Sequence, residues 1–230
     1  MTTAPATAPT IAALSGRYTI DPSHTEIGFV ARHAMVTKVR GAFTEFEGSA
    51  TTRPGLADAA IALTIQASSV DTGNADRDGH LRSADFFDVE THPTITFVST
   101  HIAEAAPHVL HVEGLLTMRG VTRPVAIDFD FDGAATDPFG NERVGLSGSV
   151  VVNRKDFGLE WNAALETGGV LVSENVTLVF EVSAIRSGDA PEAAPVEDEQ
   201  PAPARASAPA AQAQPAAQGG FVAWLKKIFA

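Results

Sequence analysis

Cysteine is absent from all 230 residues. That removes disulfide staples, thiolate metal sites and a thiol nucleophile together. No stretch approaches the roughly 18 to 20 apolar residues that a membrane-spanning helix needs. The first sixteen residues, MTTAPATAPTIAALSG, carry no lysine or arginine, and their apolar run from Ile11 to Leu14 is too short for a signal-peptide core. Nothing directs export, so the expected location is cytoplasmic. Positive charge is scarce, with 16 basic against 28 acidic side chains and a net charge of -12. Such a field repels phosphate backbones, which argues against nucleic acid as a partner. A G-x-S-x-G elbow, an HExxH pair and a glycine-rich phosphate loop are all missing. The reading is therefore a non-enzyme with no catalytic residue, no metal and no cofactor.

What remains falls into unequal parts. Residues 1-16 read as a flexible N-terminus and residues 17-186 as the globular domain. Residues 187-220, almost entirely alanine, proline, glutamine and glutamate, read as a disordered linker. The last ten residues, FVAWLKKIFA, put Phe221, Trp224, Leu225, Ile228 and Phe229 at the i, i+3, i+4, i+7, i+8 spacing of one apolar helix face. A helix this short folds only against something. It reads as a docking peptide for a membrane surface, a protein groove or the domain's own mouth, or else as a frayed end.

The globular part reads as all-β. Val125, Ile127, Phe129 and Phe131 alternate with Ala126, Asp128, Asp130 and Asp132, which gives a strand one dry and one wet face. The pattern recurs at Ile27, Phe29, Ala31 and His33, at Ile61 to Ile65, at Ile95 to Ser99, and at Val176 to Val182. Arg53-Pro54-Gly55, Arg123-Pro124, Asp137 to Asn141 and Gly168-Gly169 read as turns. Small residues among the inward sets (Ala31, Ser99, Gly114, Gly148) leave either room for an apolar ligand or seats for neighbouring side chains.

Alternation stops between Asp71 and Pro93. There the sequence predicts a short amphipathic helix over residues 75 to 83, followed by Phe86-Phe87, as a lid over one end of a barrel or as a satellite cluster of the core. Arg77, His80 and Arg82 beside it are candidate contacts for a ligand head group, or members of a local salt-bridge network. His101, His108 and His111 read as solvated turn histidines. Asn153 to Gly158 (NRKDFG) reads as a strand end, with Gly158 turning and Arg154 pairing locally.

Four separated motifs carry a further signal: TIDPSHTEIGFVARHAMVTKVRGAF, SSVDTGNADRDGHLRSADFFDVETHPTITFVST, GLLTMRGVTRPV and VNRKDFGL. Together they resemble the YceI-like family of polyisoprenoid-binding proteins over about residues 17 to 185. The resemblance implies an extended lipocalin-like antiparallel barrel of eight strands holding an isoprenoid lipid, a polyprenyl phosphate or an isoprenoid quinone, in a long internal channel. It places Ile27, Phe29, Ala31, His33, Phe43, Phe86, Phe87, Ile95, Phe97 and Phe129 along that channel. The alternative is an interaction module that displays the terminal peptide to a membrane or protein partner.

Overall fold

The structure, a computed structural model, describes residues 10-166 and 168-190. The strands are β1 (Gly16–Ile20), β2 (Glu26–His33), β3 (Thr37–Phe43), β4 (Phe46–Arg53), β5 (Ala57–Gln66), β6 (Val70–Asp71), β7 (Thr94–Ala106), β8 (Val109–Met118), β9 (Val121–Thr136), β10 (Glu142–Asn153) and β11 (Asn175–Gly188). One α-helix, α1 (Ala75–Arg82), stands among them. All pairings between strands are antiparallel, in the order β1-β4-β5-β7-β8-β9-β10-β11, and a β1–β11 pairing closes these eight into a barrel. Closure is the eight-stranded barrel that the motif resemblance implies, and it leaves free edges only where β9 and β10 part.

The long strand β11 pairs with β10 along one edge and with two strands in turn along the other. Its C-terminal half pairs with β1 through Tyr18–Arg186 and Ile20–Ala184. Its N-terminal half pairs with β2 through Val30–Thr177 and Ile27–Phe180, and β3 and β6 continue from there. The barrel is thus lengthened at one end by a side sheet. A second irregularity lies between β9 and β10, whose ladder runs from Thr136–Glu142 to Phe129–Gly148 and stops. Beyond it, among the described residues, 121-128 of β9 pair only with β8, and 149-153 of β10 only with β11. A 3-10 turn, Arg154–Phe157, follows β10 directly and packs against β9, with Phe157 2% exposed.

The turn between β8 and β9 falls at Arg119 and Gly120, both with positive φ, which is the geometry of a two-residue hairpin. Arg123-Pro124 therefore forms no turn. Pro124 sits within β9 opposite Leu115, on the stretch that has no second neighbour, so a residue unable to donate a backbone bond is tolerated there. His101 and His111 likewise lie on strands, on β7 and β8. Only His108 occupies a turn, with its ring stacked on Phe131 at 6.2 Å. Ile11, inside the stretch read as a flexible N-terminus, is 1% exposed and packs with the turn Pro54–Leu56.

At the barrel end remote from α1, Arg143 bridges two aspartates. Its Nη1 donates to Asp21 Oδ2 at 2.6 Å and its Nε to Asp137 Oδ2 at 2.8 Å. Asp21 is held well below the usual carboxylate range by Arg143 and then by His24. Asp137 is held there by Asn141 and then by Arg143. Both groups bind protons more weakly folded than unfolded, so the stability they contribute is complete above the unfolded carboxylate pKa of about 3.9 and is lost as pH falls below it. Denaturant midpoints are expected to drop between pH 4 and pH 2. Arg143→Met should be less stable at neutral pH and lose much less over that acid range; an unchanged acid response would show that other carboxylates govern it.

Candidate functional site

The barrel encloses a cavity of about 210 Å³. One water needs only about 10 to 15 Å³ measured in this way, so the space exceeds a packing defect many times over. The wall is built by period-2 alternation. Ile27, Phe29 and Ala31 of β2, Ile61, Leu63 and Ile65 of β5, Ile95 and Phe97 of β7, Val125, Ile127 and Phe129 of β9, and Val176 to Ala184 of β11 at every second position all face it. Alternation thereby turns one set of mostly branched or aromatic residues inward, although Val98, Leu115 and Val151 stand exposed on the outer face.

Nine of the ten residues expected along the channel line this cavity: Ile27, Phe29, Ala31, Phe43, Phe86, Phe87, Ile95, Phe97 and Phe129. His33 does not. It ends β2, is exposed, and bridges the backbone of Val172, because strand pairing has carried it past the barrel rim. The phenylalanines are fixed by one another and by glycine. Phe129 and Phe180 meet at 5.8 Å between ring centroids, Phe29 and Phe43 at 5.9 Å, and Phe43 and Phe87 at 5.7 Å. Phe97 lies over Gly114 and Phe129 over Gly148, so closely that a Cβ on either glycine would overlap the ring. These two glycines therefore seat aromatic rings and add no free volume. Ser99 is likewise structural, since its Oγ accepts from the Ile61 amide at 2.8 Å. Of the four small residues, Ala31 alone opens onto the cavity.

The lid differs from the expected amphipathic helix. Helix α1 carries one large apolar side chain, Leu81, which faces the cavity. Hydrogen bonds hold it in place. Asn74 caps it by accepting from the Arg77 amide at 3.0 Å, and buried Asp78 accepts from the Thr72 amide at 2.9 Å and its hydroxyl at 2.5 Å. The apolar cover comes from the turn that follows, where Phe86 and Phe87 both point inward.

Arg77 and Arg82 serve this lid. Arg77 donates to the Thr72 hydroxyl and carbonyl at 2.7 and 2.8 Å, and Arg82 to the Ser68 and Val70 carbonyls, both at 2.7 Å. Neither lines the cavity, and their acceptors are a hydroxyl and carbonyls, not carboxylates. His80 meets Asp85 at 2.9 Å and packs edge-on to Trp161 and Phe86, at 4.6 and 5.0 Å.

The cation that does reach the cavity is Arg154. It is 5% exposed, lines the cavity, and lies with Cζ 5.9 Å from the centre of the Phe86 ring. Its Nε donates to the Ser173 carbonyl at 3.0 Å and its Nη1 to the Leu159 carbonyl. Nη2 has no hydrogen-bond partner among the described residues. Burial pushes the guanidinium pKa down, with Glu174 opposing; an arginine nonetheless stays charged. The sequence gives Arg154 no marker beyond its place at a strand end, and the long connection from Gly158 to Glu174 that folds over it carries no pattern. Tyr18, at the opposite end of the cavity, donates its hydroxyl to the Ser15 carbonyl at 3.3 Å, and burial raises its pKa.

Among the described residues no three or more His, Asp or Glu side chains gather as a metal site, and no helix is long and apolar enough to cross a membrane. Fold and cavity together define the class: a closed eight-stranded antiparallel barrel of lipocalin-like architecture, built around an apolar interior. The chain belongs to the YceI-like family, whose model, described as the YceI-like domain, matches residues 18–184.

A UPF0312 protein of Staphylococcus epidermidis is 39% identical over 173 residues, covering 73% of this chain and 95% of that one. A UPF0312 protein of Vibrio cholerae is 36% identical over 152 residues, covering 65% and 80%. Among solved structures, the YCEI protein of Campylobacter jejuni superposes with a TM-score of 0.58 at 27% identity, covering 67% of this chain and 88% of that one. Two more distant likenesses show the shared fold. BcnA of Burkholderia cenocepacia has a TM-score of 0.63 at 24% identity and covers 71% and 98%. A polyisoprenoid binding domain from Saccharophagus degradans has a TM-score of 0.57 at 20% identity and covers 76% and 98%.

Proposed function

We infer that the protein is a non-catalytic carrier that takes one long apolar chain, an isoprenoid lipid, into its barrel and sequesters or transports it. The observation that carries this reading is the cavity inside the barrel, walled by aliphatic and aromatic side chains. Burial there is worth about 0.8 kcal/mol per CH₂. The polar side chains on the wall are those of Tyr18, Ser49, Thr96 and Arg154, with no histidine or carboxylate among them to act as a general base. The isoprenoid identity follows the four-motif resemblance, and the S. degradans domain of the same fold is named for polyisoprenoid binding. Organic extraction of the purified protein with mass spectrometry, then titration with polyprenyl phosphates and isoprenoid quinones, tests it. A barrel that is empty as purified and refuses every added chain would end the carrier reading.

The terminal peptide, Phe221, Trp224, Leu225, Ile228 and Phe229, lies outside the described residues, as does nearly all of the linker. Its helical spacing supports a tether to a membrane surface or protein groove. Deleting residues 191-230 is expected to leave lipid content unchanged while abolishing liposome or partner association. Loss of lipid on deletion would instead make the tail part of the binding site.

A further inference from the structure

Arg154 is expensive where it stands. A buried guanidinium is tolerated when its charge is countered and its N–H groups are all engaged. Here two neutral carbonyls, of Ser173 and Leu159, take Nε and Nη1. No described carboxylate forms an ion pair with it; the nearest candidate by field, Glu174, is exposed and bound to Lys155 Nζ at 2.5 Å. The remaining nitrogen, Nη2, is buried and without a partner among the described residues, in a side chain that lines a largely apolar cavity.

We propose that Arg154 is the head-group site of the barrel, and that the ligand is an apolar chain ending in an oxyanion, a carboxylate or phosphate, which binds Nη2. This rests on the carrier reading and deepens it. A neutral acceptor such as a hydroxyl or a ketone would satisfy the hydrogen bond but leave the buried charge uncompensated. An oxyanion does both. The carbonyls that hold Nε and Nη1 fix the plane of the guanidinium. Nη2 has almost no accessible surface, so an oxyanion reaches it as the side chains around it give way. Phe86, below the guanidinium, and the His80–Trp161 contact beside it shield the pair from water, which strengthens it.

The assignment also gives the ligand a direction. Its head lies under the α1 lid at the Arg154 end, and its chain runs past Phe97 and Phe129 toward Tyr18 and Ala184. The half-buried lid cations Arg77 and Arg82 take no part, since their donors already hold the lid together.

The test uses the full chain, stripped of lipid, and four probes with the same isoprenoid chain: geranylgeranoic acid, its methyl ester, geranylgeranyl phosphate and geranylgeraniol. The wild-type protein is expected to bind the acid, the phosphate or both roughly tenfold to a hundredfold more tightly than the ester and the alcohol, the usual range for a hydrogen bond to a charged group. Preference for the acid alone identifies a lipid acid, and preference for the phosphate alone a lipid phosphate; either supports the site. Arg154→Met and Arg154→Gln should bring the oxyanions down to the affinity of the ester, with the ester itself little changed. If neither variant folds, the wild-type comparison of acid with ester decides. Equal affinity for all four probes in the wild type overturns the head-group site and leaves the carrier standing, as does an oxyanion preference that survives both substitutions. Refusal of all four overturns the carrier and this site with it.

Discussion

Ala50→Trp is expected to reduce lipid affinity by at least a hundredfold while the barrel stays folded. Ala50 lies on β4 between Tyr18 of β1 and Ile61 of β5, and it lines the cavity. An indole placed there projects into a space of about 210 Å³. Excluding even four methylenes of a bound chain forfeits about 3 kcal/mol, roughly two hundredfold in affinity. Overpacking itself costs typically 1 to 3 kcal/mol, so thermal melts must accompany the binding curves. Ala62→Trp on the exposed face of β5 is the matched control and should bind as wild type. Full affinity in a folded Ala50→Trp protein would put the lipid outside the barrel.

Phe157→Ala is expected to be the most damaging single change to stability, at about 3 to 5 kcal/mol. Phe157 is 2% exposed and does not line the cavity, so its removal leaves a void that no ligand fills. It anchors the turn that follows β10 and packs on β9 where those strands no longer pair. Arg119 adds to the fastening by donating to the carbonyls of Gly158 and Ala84, which ties this turn to the lid. The check is a denaturant titration in which the midpoint falls and the slope does not. A loss under about 1 kcal/mol would mean that the turn is a surface ornament and that the ring holds without it.

The strands were readable because a half-buried strand writes its burial into every second letter, whereas their closure into a ring came from the motif resemblance. Val125, Ile127 and Phe129, or Leu178 and Phe180, need no tertiary knowledge to be assigned a dry face, and all five do line the cavity. Volume was harder to read. Gly114 and Gly148 suggest empty space to anyone counting side-chain sizes, yet a phenylalanine on the neighbouring strand lies across each of them. Which small residue is a gap and which is a seat depends on opposite and diagonal neighbours across strands, and register is a tertiary fact.

Charge was harder still. Arg77 and Arg82 cluster visibly with acids in the sequence, whereas their guanidinium groups hold carbonyls of nearby turns. Arg154 stands in an unremarkable strand-end motif and becomes the buried cation, because residues 159 to 173 fold back over it from a connection without periodicity. His33 continues the alternation of β2 in the sequence, but β2 outruns the barrel before reaching it.

Proline at position 124 has a consequence for the protein among its own copies. Along residues 121-128, β9 shows one side to no strand among the described residues, and a row of unpaired backbone groups is a template on which a second chain can add itself. Pro124 cannot donate to an incoming strand, and Arg123 and Asp128, both exposed, set charges along the same stretch. The gap that lets the Phe157 turn enter the wall is thereby kept from becoming a nucleus for polymerisation, and an apolar barrel can be concentrated in a cell without its open seam recruiting the next one.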